Sequence, residues 1–89
     1  MDHDALRLFL NLSRTLHFGR TSRECHISPS ALSRAIQRME DELGCALLER
    51  DRRTVRLTPE GVVLQAHAAE ALQRWQAVRQ KLAGESRGL

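Results

Sequence analysis

Two hydroxyl–proline pairs constrain this chain more than any other feature. Ser28-Pro29 and Thr58-Pro59 each have the grammar of a helix start. A hydroxyl caps the first free backbone amides, and a proline follows where its missing N–H is no loss. Gly44, after the apolar Leu43, reads as a helix stop, and Gly84 reads the same way. These marks divide the chain into a helix over 4–16, a turn at His17-Phe18-Gly19, a short helix over 20–26 and a third helix over 29–43. Two short strands follow at 46–49 and 54–57, and then a last helix over 59–83. At 1.5 Å per residue the last helix is roughly 37 Å long. That is too long to pack wholly against the body that 89 residues can make.

Apolar spacing agrees with this division. Leu6, Phe9, Leu10 and Ser13 share one face of the first helix, flanked by Leu12 and Leu16. Leu32, Ile36, Met39 and Leu43 recur at four, three and four in the third, widened by Ala31 and Ala35. Val55 and Leu57 alternate with Thr54 and Arg56, the period of a half-buried strand. Aromatic residues are few, with Phe9, Phe18 and Trp75 and no tyrosine, so the core is aliphatic, which suits helices. A chain this short buries only about 60% of its unfolded surface, so a partner subunit is a reasonable way to complete the core.

Composition excludes several classes. No stretch approaches the roughly 20 apolar residues of a membrane span, and Met1-Asp2-His3-Asp4 is no signal-peptide start. The expectation is a cytoplasmic protein with free thiols at Cys25 and Cys45. Cys25-His26 and Cys45 lack paired metal-ligand spacing, so no metal or other cofactor is expected. His3, His17, His26 and His67 have no evident nucleophile or carboxylate partner, and Ser28 and Thr58 are better explained as caps. No catalytic residue is assigned. The net charge is +3, and of 14 basic residues only Lys81 is lysine. Arginine's planar fork suits phosphates and guanine edges, although a GC-rich genome produces the same enrichment.

Three constellations remain. The first is a pair of helices, 20–26 and 29–43, with helix-turn-helix dimensions. The second of them carries Ser30, Ser33, Arg34, Gln37 and Arg38 opposite its apolar stripe, and Glu40-Asp41-Glu42 crowd its C-terminal end. Hydroxyls and arginines at the positive end of the helix dipole favour entry of that end into a groove of DNA. An ordinary solvated face, with Arg38 and Glu42 paired at i and i+4, accounts for the same residues. The second is the turn between the strands, where Arg50, Arg52, Arg53 and Arg56 outweigh Glu49 and Asp51. A hairpin tip of this kind reaches phosphate or a narrow minor groove, or merely keeps the chain soluble. Arg50 has a structural alternative, pairing with Glu40 or Glu49. The third is a heptad-like row on the last helix, Leu64, Ala68, Ala71, Trp75, Val78 and Leu82. A second row, Val62, Val63, Ala66 and Ala69, is expected to face the body, leaving the first for another chain.

The run His17-Phe18-Gly19-Arg20-Thr21-Ser22, the run from Ser28-Pro29-Ser30 through Leu32-Ser33-Arg34 to Leu43-Gly44, and the continuation Leu47-Leu48-Glu49-Arg50 to Thr58-Pro59-Glu60-Gly61 together resemble the LysR-type transcriptional regulators. Within that family the resemblance is to the branch that regulates isoleucine–valine biosynthesis. It covers essentially the whole chain. It implies a mainly α fold: a winged helix-turn-helix over 1–58 with a two-stranded wing, and a linker and dimerisation helix over 59–84. Residues 85–89 would begin the connection to an effector domain. It implies double-stranded DNA as partner and an inverted-repeat operator. It also implies a homodimer through antiparallel linker helices, a higher homo-oligomer for the whole protein, and contact with RNA polymerase. Residue by residue, Ser28, Pro29, Ser30, Ser33 and Arg34 match the groove-facing start of the recognition helix, with Gln37 and Arg38 further along it. Gly19 and Arg20 match the phosphate-touching start of the second helix, and Arg53 the wing-tip arginine, with Arg52 beside it on phosphate. Thr21 and Ser22 stand where the family has alanines, Cys25 where it has leucine and Leu48 where it has phenylalanine. The two hydroxyls are expected near phosphate. The rival reading is a helical protein-interaction module that does not bind DNA.

Overall fold

A computed structural model describes residues 2–87. The elements are α1 (His3–Thr15), α2 (Phe18–Glu24), α3 (Pro29–Leu43), β1 (Leu48–Arg50), β2 (Val55–Leu57) and α4 (Pro59–Arg87). The architecture is mainly α, with a small wing and a long final helix, as the sequence implied. The body is a three-helix cluster closed by the strands. Its buried centre is Phe9, Leu12, Leu32, Ile36, Met39, Leu47 and Leu48, the apolar stripes of α1 and α3 with the root of the wing.

Each helix start has a local cause. Asp2 accepts the Ala5 amide at 2.7 Å and Ser28 accepts the Ala31 amide at 3.1 Å. Thr58 accepts the Gly61 amide at 3.0 Å. Gly44 ends α3 at a φ of +72°, the left-handed conformation that glycine adopts without steric cost. The strands pair antiparallel, with Leu48 opposite Leu57, Glu49 opposite Arg56 and Arg50 opposite Val55.

Several boundaries differ from the expected ones. His17, Phe18 and Gly19 are not a free turn: α2 begins at Phe18, because the His17 ring Nδ1 accepts the Arg20 amide at 2.9 Å and acts as the cap. The same helix ends at Glu24, and His26 turns the chain at a φ of +57°. The first strand begins later than Ala46, because the Ala46 and Leu47 carbonyls are taken by the hydroxyl and amide of Thr58, and the second begins after Thr54, whose carbonyl accepts the Asp51 amide at 3.0 Å. Gly84 does not stop the last helix, which continues to Arg87. A glycine stops a helix when it turns left-handed, and Gly84 does not.

The phase of α4 is the largest correction. Gly61 is pressed onto the Leu47 backbone, where any Cβ would collide with the carbonyl oxygen. That contact turns the Gly61 face inward, and residues three, four and seven places on follow it. Leu64 packs against the core, Gln65 donates to Ser13 Oγ at 3.0 Å, and Ala68 is buried. Leu64 and Ala68, expected in the row that meets another chain, are therefore occupied within this one. Val62 and Val63, expected against the body, are 54% and 59% exposed, and Ala66 is exposed too.

Candidate nucleic-acid interface

The polar face of α3 keeps its N-terminal half open. Ser28, Pro29, Ser30, Arg34 and Arg38 are exposed, and Ser33 is half-buried. Ser28 is occupied as a cap and lies 3.3 Å from the Ser30 hydroxyl. Gln37 is turned toward the acidic end, its Nε2 donating to Asp41 at 3.0 Å. The face thus divides as its charge pattern suggests, with arginines and hydroxyls toward the helix start and carboxylates toward its end.

The wing is attached to this face by Arg50. Its guanidinium lies 4.4 Å from the centre of the Phe18 ring and donates to Ser33 Oγ at 3.3 Å. A cation over an aromatic face is held by the ring quadrupole, so one arginine joins β1, the first turn of α2 and the second turn of α3. Neither carboxylate suggested by the sequence is its recorded partner. Glu40 instead accepts the Leu47 and Leu48 amides at 2.7 and 3.3 Å, fixing the chain where it leaves α3 for the wing. Sequence reasoning missed the Arg50–Phe18–Ser33 junction. Its only signal was an aromatic residue in the expected turn, in a chain with few aromatics.

Arg52 and Arg53 lie at the exposed tip. Asp51 shapes it: its carboxylate accepts the Arg53 and Thr54 amides, both at 2.8 Å. Those bonds hold the Asp51 carboxyl below its ordinary range. Such a turn presents the two arginine side chains outward while their backbone is tied down.

Gly19 and Arg20 lie in the first turn of α2. Arg20 is exposed, and its Nε donates to Glu24 at 2.9 Å. Thr21 and Ser22 are not at the surface. Thr21 is fully buried, donating to Asn11 at 2.7 Å and lying 2.8 Å from the Thr15 hydroxyl, and Ser22 donates to the Gly19 carbonyl. The Thr21 hydroxyl joins α2 to α1 and the Ser22 hydroxyl stays within α2, so neither is open to a phosphate, contrary to the expectation.

On α4 the exposed remainder of the predicted row is Trp75, Val78 and Leu82, at 40%, 44% and 59%, with Ala71 half-buried. Trp75 stacks on His3 of α1, ring centres 4.9 Å apart. Among the described residues there is no group of three or more His, Cys, Asp or Glu side chains fit to hold a metal. No described helix is long and apolar enough to cross a membrane. Burial pushes the Cys25 thiol up, away from the reactive thiolate.

Two helices crossing through a tight turn, a two-stranded wing beside the second, and a long helix leaving the body define a winged helix-turn-helix protein. The chain belongs to the family described as bacterial regulatory helix-turn-helix protein, lysR family, which matches residues 3–62. It is 48% identical over 82 residues to the HTH-type transcriptional activator IlvY of Salmonella typhimurium, covering 92% of this chain and 28% of that protein. A full-length OxyR variant from Pseudomonas aeruginosa superposes with a TM-score of 0.90 at 37% identity, over 94% of this chain and 28% of that one. A BenM_DBD chain in complex with catB site 1 DNA superposes at 0.83 with 34% identity, over 98% and 93%. The chain spans about three tenths of the length of the curated relatives it matches.

Proposed function

We propose that this chain is the DNA-binding part of a transcriptional regulator that works as a homodimer on an inverted-repeat operator. The start of α3 enters the major groove and the wing tip lies at the flanking minor groove. The observation that carries this is the Arg50–Ser33 contact. It makes the root of the wing and the polar face of α3 one continuous surface, with exposed arginines at Arg34, Arg38, Arg52 and Arg53. The likeness to a chain solved on DNA supports the same reading. Arg34 and Ser33 read base edges, Arg53 enters the minor groove, and Arg20 and Arg52 hold phosphate. The role is binding, not turnover, in the cytoplasm, with RNA polymerase as a further partner of the whole protein.

Selection of bound duplexes from a random pool tests the proposal. The expected result is an enriched inverted repeat, bound with an affinity that falls by about 0.9 log units per log unit of salt for each phosphate contact. A pool that yields no enriched duplex, with no binding even at about 50 mM salt, would leave the helical protein-interaction module as the better account.

A further inference from the structure

The surface between α1 and α2 holds a chain of polar contacts that the DNA-binding reading does not use. Asn11 accepts the Thr21 hydroxyl at 2.7 Å and donates its amide to Glu24 Oε1 at 3.1 Å. The other carboxylate oxygen of Glu24 accepts Arg20 Nε at 2.9 Å. The far end of the chain is anchored as well. The Thr15 hydroxyl lies 2.8 Å from that of Thr21 and accepts the His17 amide at 3.1 Å. Arg20 is thus connected through Glu24 and through Asn11 of α1 to the buried Thr21 of α2.

The point of attachment matters. A guanidinium has two hydrogen-bonding edges, and Glu24 takes the Nε side. The two terminal Nη groups take no part in that bond, and neighbouring guanidinium N–H groups can grip a phosphate with two parallel bonds. A surface arginine normally loses rotamer freedom when it binds, and Arg20 is already held. Glu24 also carries a negative charge that repels a nearby phosphate. Its two effects oppose each other, which is why its role is not visible in the charge pattern.

We infer that Glu24, braced by Asn11, is a positioning residue that holds the Arg20 guanidinium ready for a DNA phosphate. The inference rests on the DNA-binding reading and on Arg20 as a phosphate contact.

Two substitutions at Glu24 separate holding from charge. Glu24→Gln and Glu24→Ala remove the same charge, but only glutamine can still accept Arg20 Nε. With Arg20 present, the Gln chain should bind the selected operator about three- to tenfold more tightly than the Ala chain, the worth of one immobilised long side chain. In an Arg20→Ala background the gap should close. Asn11→Ala, which leaves the charge untouched, should weaken binding when Arg20 is present and have no effect when it is absent. Thermal unfolding of each variant establishes that the folded chain is being compared. Equal affinities for Gln and Ala with Arg20 present, or a gap that survives Arg20→Ala, would overturn the inference while the unsubstituted chain still binds the operator. Failure of the unsubstituted chain to bind any duplex would overturn the DNA-binding reading and this inference with it.

Discussion

Arg34 and Gly61 show how differently single residues carry this molecule. Arg34 is exposed one turn into α3, so its removal disturbs no packing and tests recognition alone. Arg34→Ala should cost about 1–3 kcal/mol of operator binding and relax preference at one base pair per half-site, measured by selection with the variant. Equal weakening on every sequence would move Arg34 to a phosphate. Ser33 is less separable, because its hydroxyl also holds Arg50. Gly61 is the opposite case. Its missing Cβ makes room for the Leu47 carbonyl, and backbone cannot swing aside as a side chain can. Gly61→Ala should therefore destabilise the fold by about 1–3 kcal/mol, read as a lowered unfolding midpoint. An unchanged midpoint would mean that α4 can shift at its root.

At the scale of elements, the tip of the wing is shaped by one carboxylate, Asp51. Asp51 is stabilised in its charged form by the Arg53 and Thr54 amides, so its folded pKa lies below the ordinary aspartate value of 3.8. A depressed folded pKa contributes stability that is present above 3.8 and lost as pH falls through the lower folded value. Carboxyl resonances should show Asp51 titrating below 3.8. Asp51→Asn should abolish that titration and speed amide exchange at Arg53 and Thr54 near neutral pH. An Asp51 midpoint at or above the ordinary value would remove the turn from this account. The tip that Asp51 shapes has its own test. Arg53→Ala should flatten the preference for A/T-rich over G/C-rich flanks, whose groove widths differ, and an unchanged ratio would exclude a minor-groove role for Arg53. The elements differed in how far the sequence revealed them. The bounds of α3 follow from Ser28-Pro29 and Gly44, because both ends are decided by residues next to them. The start of α2 does not, because its cap is a histidine ring and not one of the usual short polar side chains. The inward face of α4 was hidden for another reason. Both of its apolar rows satisfy the helical period, and the contact that chooses between them is made with Leu47, fourteen residues upstream of Gly61.

For the whole molecule, the division of α4 changes which substitutions can test a dimer. Ala68 is buried inside the chain, so a charge there would unfold the body. Trp75 leans on His3, so a charge there would disturb α1 as well. Leu82 is the cleaner position, because it is 59% exposed and lies well beyond the body. In a homodimer built on the outer part of α4, Leu82→Glu should shift sedimentation toward the monomer. It should also weaken binding to the full inverted repeat far more than to a lone half-site, since linkage raises the effective concentration of the second site. A Leu82→Glu chain that stays dimeric and binds the full operator normally would place the interface elsewhere, with the exposed Val62 and Val63 the next surface to examine.

The attachment of α4 has a mechanical consequence. The helix is held against the body from its Thr58 root through Leu64, Gln65 and Ala68 to Trp75, about 25 Å, and then runs on for about 18 Å to Arg87. A rod held this way is a cantilever whose free arm begins beyond Trp75. A bend of about 5° beyond Trp75 moves the free end by some 1.6 Å while the packed segment stays in place. The root is where Thr58 grips the Ala46 carbonyl and Gly61 abuts Leu47, immediately beside the two stems of the wing. Force applied to the far end of the rod therefore arrives first where Trp75 stacks on His3 of α1, and reaches the wing and α3 through the shared core.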